Sequence, residues 1–410
     1  MAQCEVVKGV GIIPDDVTFI SGRKGFKGCE ELVEVTIPNN ITSISYGAFE
    51  NCINLKHITI SDSVTEIDDK AFRNCESLEG IIIPKSVENI GERVFEGCTK
   101  IKSIIVEDGN PYYDSRGECN AVIKSDTDTL ILGCATTIIP DSVVEIGESA
   151  FSGCLGLTNI IIPGSVTTIG EYTFDGCKSL NSITLSEGIQ SIDYGAFNEC
   201  TNLTSIILPA SLEDIDGSAF ADCENLRSIS VAKSCDEDIR DTETLYSLEN
   251  SNAVIRRFDS TLVVGIATTT IPDEVQTIGT RAFYCCKGLT EITLPVNISE
   301  INELAFWGCS NLSKVSLNEG LKVIDDKAFQ DCDNIKNIII PKSVERLGEW
   351  AFGCTSLESI TFLGELDDMW SPFEYNIQKI YVPKNKKKFY KECMPEILHD
   401  RIVEVKTTKK

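Results

Sequence analysis

The chain has 410 residues, of which 42% are hydrophobic and 24% charged, and its formal charge is -26. That acidity excludes the basic patches on which nucleic acids and anionic membranes depend, so neither is an expected partner. No apolar run approaches the ~18–20 residues of a membrane-spanning helix, so membrane insertion is not expected either.

The opening residues Met1-Ala2-Gln3-Cys4-Glu5 have neither the basic region nor the apolar stretch of a secretory leader. Two origins fit: a cytoplasmic protein, or a secreted or surface protein whose leader was removed. After an N-terminal segment (1–25) containing Ile13-Pro14-Asp15-Asp16-Val17, an aromatic–thiol signature begins. It runs Phe26/Cys29, Phe49/Cys52, Phe72/Cys75 and Phe95/Cys98 at a fixed step of 23 residues. A second run is Phe151/Cys154, Phe174/Cys177, Phe197/Cys200 and Phe220/Cys223. A third is Phe283/Cys286, Phe306/Cys309, Phe329/Cys332 and Phe352/Cys354. A fixed period of this size means a repeat solenoid, in which each coil touches only its neighbours. Such a fold escapes the size limit of roughly 250–300 residues on a single globular core.

Within one repeat, Leu55-x-x-Ile58-x-Ile60 reads as a short strand, with Ile58 and Ile60 inward and His57 and Thr59 outward. Prolines 38, 84, 163, 209, 295 and 341 follow these strands, as expected of a residue that cannot donate to the ladder. A weaker extended piece, Val64-x-x-Ile67, comes next, and the Ala48-Phe49 pair represents the packed closing turn. No long helix is expected on that side. The glycines at 91, 147, 170, 279 and 348 are read as turn positions. The acid pairs Asp68-Asp69 and Asp325-Asp326 are read as solvated charge rather than calcium sites.

The step between signatures lengthens twice, from Phe95 to Phe151 and from Phe220 to Phe283. The two inserts are related: Asn120-Ala121-Val122-Ile123 recurs as Asn252-Ala253-Val254-Ile255, and Thr129-Leu130-Ile131-Leu132-Gly133 as Thr261-Leu262-Val263-Val264-Gly265. Each reads as a β-hairpin followed by re-entry into the solenoid. The organisation is therefore 1–25 lead-in, 26–106 first block, 107–142 insert, 143–232 second block, 233–274 insert, 275–363 third block and 364–410 cap, all one continuous domain. The basic run Lys384, Lys386, Lys387, Lys388 and Lys391, with Lys409 and Lys410, is read as a solvated face of that cap.

This pattern resembles the BspA-like leucine-rich-repeat family. Ile146-Gly147-Glu148-Ser149-Ala150-Phe151-Ser152-Gly153-Cys154 carries its I-G-x-x-A-F-x-x-C signature. The segment from Ile169 through Cys177 to Leu180 carries it with Thr173 in place of alanine. The resemblance implies a mainly β, right-handed leucine-rich-repeat arc, here of twelve 23-residue coils in three blocks of four. It also implies a cell-surface or secreted adhesin engaging a host or cell-surface protein, or a glycan. An intracellular scaffold for protein–protein interaction is the alternative.

The residues themselves supply no catalytic constellation. His57 and His399 are the only histidines, and no phosphate loop or paired metal knuckles occur. No enzyme activity, cofactor or metal is expected, and a monomer is. Function is expected instead on the concave sheet, whose outward residues are mostly uncharged: His57, Thr59, Ile82, Ile105, Ile161, Ser182, Thr184, Ser205, Ile207, Ser228 and Ser230. Stacked identical charges on a parallel ladder would repel, which gives this neutrality a purely structural alternative. Sequons at Asn40, Asn202, Asn297 and Asn311 matter only in a glycosylating secretory pathway.

The ladder cysteines should sit inward as small hydrophobes, side by side in poor geometry for bridging. Cys119 and Cys134 differ, because both are replaced in the second insert, by Ser251 and Ile266. A hairpin turning at Asp126-Thr127 would set them opposite each other, a contact or disulfide pair under oxidising conditions.

Overall fold

The computed structural model describes residues 4–22, 25–233, 245–369 and 371–405. Two compact units, Met1–Thr204 and Ser205–Lys410, divide the chain. Lys409, Lys410 and residues 234–244 of the second insert lie outside the described residues. Both units are stacked β-coils with short strands on two faces. The front face carries strands of three or four residues, and the back face strands of two.

In the first unit the front strands Glu34–Thr36 and His57–Thr59 pair in parallel, as do Gly80–Ile83 with Ser103–Val106 and Asn159–Ile162 with Ser182–Leu185. The back ladder runs through Ser43–Ile44, Glu66–Ile67 and Asn89–Ile90. In the second unit Glu291–Thr293 pairs with Lys314–Ser316 and Asn337–Ile340 with Ser359–Phe362. Its back ladder steps in parallel from Thr277–Ile278 through Glu300–Ile301 and Val323–Ile324 to Arg346–Leu347. Alternation along each strand buries every second side chain: Ile81 and Ile83 are inside while Ile82 is outside. The strand-ending prolines close the turn, Pro38 and Pro84 accepting from the amides of Ile41 and Val87.

The repeated phenylalanines form a spine. Phe26, Phe49, Phe72 and Phe95 stack at 5.3, 5.3 and 5.8 Å between centroids. Phe283, Phe306, Phe329 and Phe352 stack at 4.9, 4.8 and 5.1 Å. Backbone bonds tie the same residues together, Phe49 N–H donating to Ala71 and Phe306 N–H to Ala328. Thr173, which stands where most coils carry alanine, satisfies its buried hydroxyl by donating to the Gly170 carbonyl at 2.7 Å.

The ladder thiols do more than fill space. Cys52 donates to the Phe26 carbonyl at 2.9 Å, Cys75 to Phe49 at 3.2 Å, Cys177 to Phe151 at 3.1 Å and Cys309 to Phe283 at 3.0 Å. Each thus clips its coil to the one before. Burial pushes the Cys52 thiol up to about 12, so at pH 8 only about one molecule in ten thousand carries the reactive thiolate. Iodoacetamide on the native protein at pH 8 should therefore label exposed Cys393 and spare Cys52, read by peptide mass spectrometry. Equal labelling would mean that the ladder opens readily.

Two turn expectations need correction. Gly91 and Gly348 do not adopt positive φ. A Cβ at either would lie 2.4 Å from a backbone nitrogen of the preceding coil, so close approach is what requires glycine there. Positive φ instead recurs two residues before and two after most of the repeated phenylalanines, as at Lys70 and Asn74 around Phe72, or Lys327 and Asp331 around Phe329. The acid pairs are likewise built in, not merely solvated. Asp69 and Asp326 accept from the amides of Glu92 and Glu349 at 2.9 and 2.7 Å, and Asp68 accepts from Tyr46.

The twelve signatures do not exhaust the coils. Gly133 N–H donates to Ala150 and Gly265 N–H to Ala282, the bonds that phenylalanine makes elsewhere, so each hairpin returns as a shortened coil. Past the last signature, Phe373 bridges Phe352 and buried Leu366, Ile377 and Ile380 complete a further turn. The cap follows, with helix Lys387–Cys393 laying Tyr390 against Phe362 at 4.9 Å and bonding its hydroxyl to the Gly364 carbonyl. Its lysines are partly committed, Lys386 to Glu365 and Lys388 to Glu392.

Candidate binding face

Because the front strands alternate, one set of side chains on each coil must face solvent. In the first unit these include His57, Thr59, Ile82, Ile105, Ile161, Ser182 and Thr184, all exposed. Ile82 and Ile161 keep 60% and 66% of their surface in water. In the second unit Ser205, Ile207 and Ser228 are exposed and Ser230 is half-buried. The expected residues therefore gather on the front ladder of their own unit. Charge is sparse there, as at Glu5 and Glu34 in the first unit, and Lys379 and the Glu291–Lys314 pair at 3.5 Å in the second.

Charge is concentrated elsewhere, and in the first block one such place is the edge formed by the residue after each phenylalanine. In the first block this edge alternates in sign as Lys27, Glu50, Arg73 and Glu96, with contacts of 2.5 Å for Lys27–Glu50 and 2.9 Å for Arg73–Glu96. The bonded Lys27 ammonium is the largest influence holding the Glu50 carboxyl below its ordinary range, Arg73 adding to it. Cross-coil pairing relieves the repulsion that identical ladder residues would produce.

Ile138, 74% exposed, belongs with the front residues but escaped the sequence reading because it falls in an insert. A signal for it exists. Ile138-Ile139-Pro140 repeats the placement of Ile161-Ile162-Pro163, and the returning strand of the insert serves as a coil. With it, the first unit exposes an isoleucine at this place on Ile82, Ile105, Ile138 and Ile161.

The first insert is a hairpin of Val122–Lys124 with Thr129–Leu132, turning about Asp126-Thr127. Ile123 faces Leu130 and Lys124 faces Thr129, the expected register, but a bulge then shifts it so that Val122 faces Leu132. Further back, Ile138 N–H reaches the Cys119 carbonyl, so Cys119 is not directly across from Cys134 as an unbroken register requires. Both thiols are free and buried. They lie along one stretch of chain, Cys119 directed at the Ala121 carbonyl and Cys134 at that of Asn120. The second insert repeats the scaffold: Val106 N–H donates to Ser115 and Val231 N–H to Ser247, each at 2.9 Å.

Three of the four sequons serve the fold. The side-chain amides of Asn40, Asn297 and Asn311 donate to carbonyls of the preceding coil, those of Val17, Asp273 and Lys287. Among the described residues, no three of His, Cys, Asp and Glu converge as metal ligands would. No helix of the described residues is long and apolar enough to cross a membrane.

Comparison with known proteins places these features. The sequence profile described as BspA type leucine rich repeat region matches residues 9–116, 133–242 and 263–377. No curated protein matches the chain. Among solved structures, the pneumococcal vaccine antigen PcpA is 18% identical, with a TM-score of 0.51 over 98% of this chain and 94% of that one. A leucine rich cell surface protein of Faecalibacterium prausnitzii is 24% identical, with a TM-score of 0.48 over 88% and 89% of the two chains. A leucine-rich repeat protein of Bacteroides ovatus is also 24% identical, with a TM-score of 0.41 over 99% and 91%. At 18% identity the likeness to PcpA is one of fold.

Proposed function

Since the chain belongs to the BspA-type leucine-rich repeat family, we propose that it is a non-catalytic module that binds a protein on its front strands. The observation that carries this reading is the contrast in charge. A chain of net charge -26 keeps most of its outward front positions neutral and exposes large isoleucines there, at Ile82 and Ile161 in one unit and Ile207 in the other. A burial-ready, uncharged core ringed by polar residues is the anatomy of a protein-binding patch. Solenoids commonly bind through such extended strand surfaces. Within this reading the adhesin form, acting at a cell surface or after secretion on a host or cell-surface protein, accords with the family resemblance. A glycan partner would ask for exposed aromatic platforms, whereas the candidate positions named above carry isoleucine, serine, threonine and one histidine.

The test places a charge on the face without disturbing the coil. Ser205→Arg and Ile207→Lys each put a cation where the side chain already meets solvent, so folding should be retained. With the intact chain as bait, partners held by the native protein should be lost from both variants, by a factor of about 30 or more if a central contact is replaced by a desolvated charge. Unchanged capture by both would move the site to the edges or the inserts.

A further inference from the structure

Beside the first insert, at the end of strand Ser103–Val106, lies a cleft of about 720 Å³, within the ~300–1,000 Å³ range of ligand-binding cavities. The residues lining it include Ile105, buried Tyr113, and the acids Glu107, Asp108 and Glu118. Arg116, also in the lining, cannot neutralise these acids. Its guanidinium is clamped by Asp114 through bonds of 2.8 and 2.6 Å and by Asp128 at 2.5 Å. Asp108 and Glu118 are exposed and have no cationic partner among the described residues. Glu107 meets only the Lys85 backbone amide, at 3.1 Å, so its charge is not cancelled. The cleft therefore joins an apolar position of the isoleucine row, Ile105, to three carboxylates that lack a counter-ion.

Resting on the docking reading above, we infer that this cleft receives a lysine or arginine of the protein partner, next to an apolar side chain seated on Ile105. A cation entering here relieves carboxylate repulsion, and the acidity of the whole chain favours approach of a basic segment. An acidic segment meets repulsion at the same place, which makes the cleft a determinant of specificity. Three lining acids without a counter-ion fit a basic segment better than a neutral one.

Two pools of biotinylated nonapeptides, random except for a central Leu-Arg or Leu-Glu pair, supply the probe. At about 50 mM salt, where screening is weak, the native protein should retain the Leu-Arg pool roughly tenfold over the Leu-Glu pool. The combined substitution E107Q/D108N/E118Q removes the charges and keeps oxygen acceptors, including the one that meets Lys85. It should bring the ratio to within about twofold, with circular dichroism unchanged. Equal retention of both pools by the native protein overturns the inference, as does an unchanged ratio in the triple variant. The failures are separable. If Ser205→Arg and Ile207→Lys leave partner capture intact, the docking reading fails on its own, whereas the peptide ratio reports the cleft alone.

Discussion

Phe306→Ala should destabilise the second unit by about 3–5 kcal/mol, the usual cost of removing a buried aromatic side chain. Phe306 is fully buried and lies between Phe283 at 4.9 Å and Phe329 at 4.8 Å, nearly parallel to both. Truncation therefore deletes two ring contacts at once, each contributing ~0.5–1.5 kcal/mol beyond area burial. Its neighbours have little freedom to refill the gap. Ala305 and Ala328 are already buried, and the backbone is pinned by the Phe306 N–H bond to Ala328 at 2.8 Å. Because a solenoid's stability is a sum over neighbouring coils, the loss should concentrate in the coils of Phe283 and Phe329. Urea unfolding gives the total, and amide exchange gives the location. A change below about 1 kcal/mol would mean the ring stack is not interior.

The repeat and its inward and outward sides were legible because they follow from local spacing. Ile58 and Ile60 between the polar His57, Thr59 and Ser61 announce their alternation within five residues, and a 23-residue period needs no three-dimensional knowledge to detect. What was illegible depends on contact between coils. The thiol of Cys75 bonds the carbonyl of Phe49, 26 residues earlier, a relation visible only once the coil pitch places them together. Gly91 looked like a flexible turn residue, and only the preceding Asp69 backbone shows that absence of a side chain is what matters. Counting phenylalanines likewise missed the coils in which Gly133 and Gly265 stand at the aromatic place. The constant hairpin register failed for a related reason. A bulge between Val122 and Ile123 leaves no mark in residue spacing, yet it moves Cys119 off the position opposite Cys134. On the candidate face the individual residues were legible, except Ile138, which falls in the stretch read as an insert.

Gly133→Ala should be disproportionately harmful for so small a change. At this point the hairpin returns beneath the second block, and the ring of Phe151 lies directly on the glycine. An added Cβ would sit 2.1, 2.4 and 2.8 Å from the ring atoms Cε1, Cζ and Cδ1, closer than real contacts allow. The ring cannot swing aside without leaving its stack on Phe174 at 5.1 Å, and the Gly133 N–H is held by the Ala150 carbonyl at 2.9 Å. Overpacking of this kind typically costs 1–3 kcal/mol, and a rigid ring pinned on both sides puts the expectation near the upper end, about 3 kcal/mol. Gly147→Ala is the control. There the nearest atom is a Thr129 methyl at 3.3 Å and φ is not positive, so the effect should stay within about 1 kcal/mol of zero. Adding Phe151→Leu in the Gly133→Ala background removes the colliding ring atoms, so the two losses should fall short of additivity by about 1 kcal/mol or more. Urea midpoints of the two single variants and the double variant measure that coupling. Strict additivity, or a Gly133→Ala loss no larger than that of Gly147→Ala, would show that the ring does not rest on the hairpin, and that glycine holds this position for some reason other than contact.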